Sequence, residues 1–451
     1  MKKIQFTQSA LFWLETLLFE RFGHKFKLIQ LDTALQIRLP AHDGFIYFDN
    51  LQRMFHLSRS DFSCQNWHAS SEGYIAAIED HIPAPSESWL PNPLIEMHNS
   101  GATIHYDILG LTYWMLTRLE EVGRIDLDNH MRFPATSSHA YRHGYLERPL
   151  VDEWLIILGQ VIQRIWPEVK LKQHQFSIKV SHDVDSPCLY GFQPWPMIGR
   201  MMAGHLLKRR DPKAFITAPY VKLTTRTELH PADPYNTFNW LMDVSEENNL
   251  KSAFYFICNG DHPSDGDYKI EHHIIRDLIR RIHSRGHEIG LHPSYNAFNN
   301  PEMIKQQAEL LKHICTEEGI QQSQWGGRMH YLRWEQPTTM RAWDNAGMTY
   351  DSTLGYADRP GFRCGTSHEY PAFDPTAQEQ LSLRIRPLVV MECTVIDRIY
   401  LGLGVTDAAE DKINLLKRRC KQVGGQFGFL WHNSYFRCTH LQRIYSSTLR
   451  S

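Results

Sequence analysis

The 451-residue sequence predicts an α/β protein: an incomplete β/α barrel preceded by a smaller α+β domain. Three observations point there. From about residue 175 onward, short apolar runs alternate with stretches of helical periodicity, the pattern of a β/α architecture. Four of those runs end in ionisable or amide-binding side chains, where such folds keep their chemistry, at the carboxyl edge of the sheet. Residues 1 to about 170 differ in texture, with one amphipathic helix, short alternating pieces and a long proline-spotted stretch.

In the first part, Leu11, Phe12, Leu14, Leu17 and Leu18 give a helix that follows Met1-Lys2-Lys3. Glu15 and Glu20 interrupt its apolar run, so it is not the core of a signal peptide. Residues 26–37 and 44–49 alternate as a small sheet, and a polar connection carries Pro83, Pro85, Pro91 and Pro93. Residues 106–121 and 150–166 read as helices, the second ending before Pro167, with a loop over 132–149 between them. The domains are therefore placed at 1–170 and 175–440.

In the second part, strands are expected at 176–181, 252–257, 287–291, 323–327, 347–351, 386–391 and 426–431. An insertion to about 235 carries a basic helix with Lys208, Arg209 and Arg210. Helices over 237–249, 270–285 and 301–318 separate the next strands. Gly286 and Gly319 stand where the last two must stop.

A length of 451 residues implies two or three domains, and 42% hydrophobic with 22% charged residues is ordinary for a soluble globular chain. A net charge of −2 gives no basic footprint for nucleic acid. No run reaches the roughly 20 apolar residues of a membrane span. The eight cysteines are scattered without a C-x-x-C pair, against a zinc ribbon or disulfide framework and in keeping with a reducing, cytoplasmic setting. Twenty-five histidines and 12% aromatic residues lean towards metal chemistry and sugar-stacking surfaces.

The strand 176–181 delivers Asp183 and Asp185, which in an extended chain face the same side. Two carboxylates at a metal-centred site can divide labour as ligand and general base, although Asp185-Ser186-Pro187 is also good turn chemistry. His292, Arg328 and His432 follow at the ends of other runs. His287 is expected to brace its strand entrance. Asp351, Tyr356 and Arg363 lie in a segment rich in hydrogen-bonding and aromatic groups, suited to a sugar or to an ordered closing loop. Glu392, after the apolar run 388–391, is a further candidate.

These pieces in order, Ser181–Asp185, Gly286–His292, Arg328 and Leu430–His432, resemble the polysaccharide deacetylase superfamily, carbohydrate esterases that remove N-acetyl groups from amino sugars. The resemblance covers about residues 175–440. It implies a deacetylase-type β/α barrel, Asp183 as general base, Arg328 orienting it, His432 protonating the leaving amine, and a divalent metal, zinc, on Asp185 and His292. Tyr295, His330, Asp351 and Arg363 are the implied substrate contacts. The family's second histidine falls at Asn296 here. Asn296 is then a weak ligand, or another histidine such as His182 replaces it, or the metal is lost.

Residues 328–334, 350–356 and 361–365 resemble a branch found among bacterial surface-polysaccharide biosynthesis proteins. Leu116–Glu121 and Arg132–Pro149 resemble the uncharacterised domain that precedes those deacetylases. The expected partner is an N-acylated sugar or glycan precursor. The competing expectations are a degenerate glycan-binding or scaffold protein and, less favoured, a glycosyltransferase using Asp183-Val184-Asp185 as a DxD site. For the latter, the sequence shows no phosphate-facing glycine loop.

Overall fold

Thr7 caps the first helix, Gln8–Phe22, by accepting from Ala10 N at 3.2 Å, and Gly23 ends it at φ 79°. The computed structural model describes residues 5–450, so the opening Met1-Lys2-Lys3 lie outside the described residues. Leu11, Leu14 and Leu18 of this helix are buried and Phe12 is exposed. Behind it stands a five-stranded sheet in the order Lys27–Gln30, Leu35–Arg38, Phe45–Phe48, Gly101–Ile104, Ile95–His98. The proline-spotted stretch, expected as a polar connection, instead supplies a strand, His81–Pro85, paired antiparallel with Cys64–His68. In a two-stranded sheet both strands are edges, so the missing proline N–H groups cost little. Helices Ile108–Leu116 and Leu150–Ile165 complete this half, the first with every residue buried.

The second half is built on a nine-stranded sheet. Its order is Tyr370–Asp374, Glu379–Ile385, Tyr350–Asp351, Gly326–Gly327, Glu288–His292, Ala253–Ile257, Ser177–Val184, Gln426–Leu430, Val390–Met391. Every neighbouring pair is parallel except the first, an antiparallel hairpin that the sequence pattern did not predict. Residues after Ile385 then run from one side of this sheet to the other. Arg386 N donates to Asp351 O, Leu388 N to Leu354 O, and Val389 N to Gly428 O.

Tight spacing at Gly326–Gly327 explains the glycine pair. A Cβ on Gly327 would sit 1.8 Å from Leu291 O, and one on Gly326 2.1 Å from the Tyr350 ring. The strands expected over 323–327, 347–351 and 386–391 pair for only two residues each. Helices Phe238–Glu247, His273–Ser284 and Pro301–Glu317 match expectation, and Gly286 and Gly319 follow the last two at φ 84° and 70°. The basic segment is not one helix. Trp195–Gly204 passes into a π-turn over His205–Arg209, Arg210 turns left-handed at φ 53°, and Asp211 caps a new helix, Pro212–Thr224. Among the described residues no helix is long and apolar enough to cross a membrane.

The two halves share one hydrophobic core, continuous from Leu14 and Trp154 to Ile289 and Phe429. Polar contacts cross it as well. Trp13 Nε1 donates to Pro371 O at 2.9 Å, and Asp152 accepts from Thr366 and Ser367. Arg363, expected near a sugar, is instead buried as a bidentate partner of Glu121, at 2.9 and 2.6 Å, and Arg118 donates to the same carboxylate. Removing Glu121 leaves the buried Arg363 guanidinium without a carboxylate and Arg118 with Glu120 alone. Glu121→Ala is therefore expected to destabilise the whole chain by about 3–5 kcal/mol. Urea unfolding followed by tryptophan fluorescence checks this, and a loss under about 1 kcal/mol would contradict it.

Candidate active site

Alternation along Ser177–Val184 points Ser181 and Asp183 to one face and His182 to the other. His182 is buried against Trp431 O (2.7 Å) and the Tyr445 hydroxyl, so it cannot supply the missing ligand. Asp183, almost fully buried, accepts from Arg328 Nη1 at 2.7 Å. Arg328 also donates to Ser181 Oγ, Ser352 Oγ and Ser352 O. The second Asp183 oxygen lies 3.8 Å from His292 Nε2.

Asp185 Oδ1 stands 3.2 Å from His292 Nε2 and 3.5 Å from His330 Nε2, yet it is buried and accepts no hydrogen bond. The ligand atoms of Asp185, His292 and His330 all fall within 4.8 Å of one another. His292 Nδ1 faces Arg328 O at 2.6 Å, and a carbonyl can only accept, so Nδ1 keeps its proton and, when the ring is neutral, the lone pair is at Nε2. His330 Nδ1 meets the Asp265 carboxylate at 2.8 Å, with the same effect. Burial acts to lower the pKa of the His292 ring, but the Asp183 and Asp185 carboxylates raise it. A carboxylate and two imidazoles so directed, around an oxygen without a partner, fit a divalent cation such as zinc.

Asn296 is not part of this group. It sits on a 3₁₀ turn, exposed, with its amide reaching Asp261 at 3.5 Å. The third member of the group is His330, expected from the sequence as a substrate contact. Its ring arrives from the loop after Gly326–Gly327, the strand beside that of His292.

His432 closes the other side, with Nε2 3.6 Å from Asp185 Oδ2. Its Nδ1 and backbone N both meet Glu392 Oε1, at 2.5 and 3.0 Å, and Glu392 is fully buried. Burial alone would lower the His432 pKa. The Glu392 carboxylate, backed by Asp185 and Asp183, overrides that and pushes it up to about 10. For Asp185, burial acts upward but His330, His292 and His432 hold its carboxyl well below the usual range.

These groups open into a cavity of about 410 Å³ walled by Tyr331, Leu332, Met391, Tyr400 and Tyr435. His130 and Arg132 from the first half of the chain also line it. Arg132 is fixed there by Asp128 and by Tyr331 O at 2.8 Å. Tyr295 stands behind this wall, its hydroxyl 2.9 Å from His130 Nδ1. Asp351 is sealed away from the cavity, accepting from Thr353 and from Trp334 Nε1 at 3.1 Å, and burial pushes its pKa up to about 6. His287 braces its strand through Ser252 N, as expected.

Comparison with known proteins covers the two halves unevenly. A family of unknown function (DUF7033) matches residues 3–167. No curated protein matches the chain. Among solved structures, a provisionally assigned polysaccharide deacetylase from Mycobacterium smegmatis is 17% identical, covering 62% of this chain and 85% of its own, with a TM-score of 0.39. Puue allantoinase is 14% identical over 61% of this chain and 84% of its own, at 0.33. A second such deacetylase, from Pseudomonas aeruginosa PAO1, is 15% identical over 63% and 85%, at 0.34. At such identities and scores the functional argument rests on this chain's own side chains.

One zinc or cobalt ion per chain is the expected stoichiometry. Asp185→Ala, His292→Ala and His330→Ala should each abolish its retention through desalting, whereas Asn296→Ala should not. Asp265→Ala, which frees the His330 ring, is expected to weaken binding about 10–100-fold. Metal analysis and competitive titration read both.

In metal-free protein, Glu392→Gln should bring the His432 pKa from about 10 to below neutral, as followed by NMR of the ring. Because the folded value lies above the ordinary 6.5, this group's stabilising contribution is complete below about pH 6.5 and is lost as pH rises through about 10.

Proposed function

We propose that the protein is a divalent-metal-dependent hydrolase that removes an N-acyl group, N-acetyl in the first instance, from an amino sugar in bacterial surface-polysaccharide metabolism. One observation carries this reading. Asp183, held by Arg328, and His432, held by Glu392, flank the Asp185–His292–His330 group within a single cavity.

Amide hydrolysis needs a base for the attacking water and an acid for the amine, since an amide anion is too basic to leave. Arg328 occupies one Asp183 oxygen and leaves the other facing the cavity, able to take the water proton. The Glu392 carboxylate behind its ring favours the protonated form of His432, which stands where the nitrogen could receive that proton. A divalent ion held by Asp185, His292 and His330 would polarise the amide carbonyl and lower the pKa of water in the pocket. The aromatic wall of Tyr331, Tyr400 and Tyr435 suits a sugar face.

The reading of a degenerate binding protein drew its support from Asn296. With His330 at the third position, that support is gone. A DxD glycosyltransferase would need both carboxylates on a metal-diphosphate, but Asp183 is committed to Arg328.

Acetate release from N-acetylated sugar nucleotides and oligosaccharides by metal-loaded protein tests the proposal. Asp183→Asn and His432→Ala are each expected to cut kcat about 10²–10⁴-fold while retaining metal. Turnover unaffected by His432→Ala would sink the assigned acid role, and no release from any N-acyl sugar would sink the substrate class.

A further inference from the structure

A second cavity, of about 540 Å³, lies between the two halves of the chain at the other end of the parallel strands. Lys179 and Gln426, near the amino ends of their strands, form part of its floor. Five basic side chains line it, Arg21, Lys172, Lys179, Arg384 and Arg386, against two carboxylates, Glu20 and Glu369.

The existing ion pairs do not use up this charge. Arg384 takes both Glu20 oxygens at 3.0 Å and one Glu369 oxygen at 2.7 Å. Arg386 meets the other Glu369 oxygen at 3.0 Å and lies 3.5 Å over the Tyr350 ring. Arg21 is paired with Asp152, and Lys172 Nζ reaches only a backbone oxygen, Glu20 O. Lys179 has neither a hydrogen bond nor an ion pair within 4.0 Å among the described residues. Beside it the Gln426 amide oxygen is buried without a partner, and the amide can turn to present its N–H groups instead. Burial, with the Arg386 cation close by, lowers the Lys179 pKa. A half-buried ammonium without a partner, facing a roomy cavity, is placed to be joined by an anion.

We infer that this cavity is a binding site for a phosphate-class dianion, held by Lys179, Arg386 and Gln426 and enclosed by both halves of the chain. With Arg21, Arg384 and Arg386 each paired with a carboxylate, Lys172 and Lys179 carry the excess of two charges, which a dianion matches and a single carboxylate does not. Its several acceptor oxygens also suit an ammonium, a guanidinium and an amide together. The site is separate from the catalytic cavity, and the inference does not depend on the proposed hydrolase activity.

Isothermal titration of the full chain with inorganic phosphate, and in a separate arm with glucose 1-phosphate, tests it. Saturable binding with Kd of about 1 mM or tighter is expected in at least one arm, and the tighter arm separates a free ion from a sugar phosphate. Lys179→Met should weaken that binding at least about tenfold, equivalent to about 1.4 kcal/mol. Lys179→Arg should retain it, and Asp185→Asn, in the other cavity, should leave it unchanged. Absence of binding to wild-type protein in both arms overturns the inference without recourse to any variant. So does binding that Lys179→Met leaves intact, or that Asp185→Asn removes.

Discussion

The buried guanidinium of Arg328 is the interaction on which the site is assembled. Its three nitrogens meet Asp183, Ser181 and Ser352, joining the strands Ser177–Val184 and Tyr350–Asp351 across the strand that carries it. Its backbone does as much: its N–H donates to Leu291 O and its carbonyl accepts from His292 Nδ1. One residue thus sets the orientation of the carboxylate and the tautomer of the imidazole beside it. Such a charge is tolerated inside a protein only when it is paired and hydrogen-bonded, and here four hydrogen bonds hold it. The glycine pair before it lets the neighbouring strands approach closely enough to supply them.

The three imidazoles of the cavity are alike in one respect and different in another. Each has its Nδ1 occupied from behind, His292 by a carbonyl, His330 by Asp265 and His432 by Glu392, so all three Nε2 atoms are aimed inward. What differs is the oxygen each Nε2 faces. Those of His292 and His330 converge on Asp185 Oδ1, at 3.2 and 3.5 Å, while that of His432 stands beside Asp185 Oδ2, at 3.6 Å. Ligands and acid are the same side chain, set apart by which side of one carboxylate they approach.

Much of this was legible in the sequence, for a definite reason. Period-two alternation fixes which side of a strand a residue faces, so Asp183 and Asp185 could be placed together from spacing alone, and the same rule turns His182 away. Strand ends marked by glycine and followed by ionisable residues located His292, Arg328 and His432. The third cation ligand was not legible, because it depends on which strands are neighbours. His330 and His292 are far apart in the chain and meet only because their strands pair. Asp265 escaped for a similar reason, lying in a polar loop after Ala253–Ile257 whose local pattern is that of a turn. Its place after a strand end was the one available signal. The residues expected to touch sugar, Asp351 and Arg363, have the right chemistry but are used inside the fold, Arg363 to bind the two halves together. Composition cannot distinguish an arginine that greets a ligand from one that meets a buried glutamate.

The contact between Trp13 and Pro371 spans 358 residues. The helix Gln8–Phe22 is made long before the hairpin 370–385, which supplies the partners of the Glu20 carboxylate and the Trp13 indole nitrogen. Part of the helix's apolar face lies against Lys27–Gln30 and Tyr113, and the rest is covered only once that hairpin is in place. The first half therefore reaches its final packing only with the second, and contacts of such sequence separation make that closure slow.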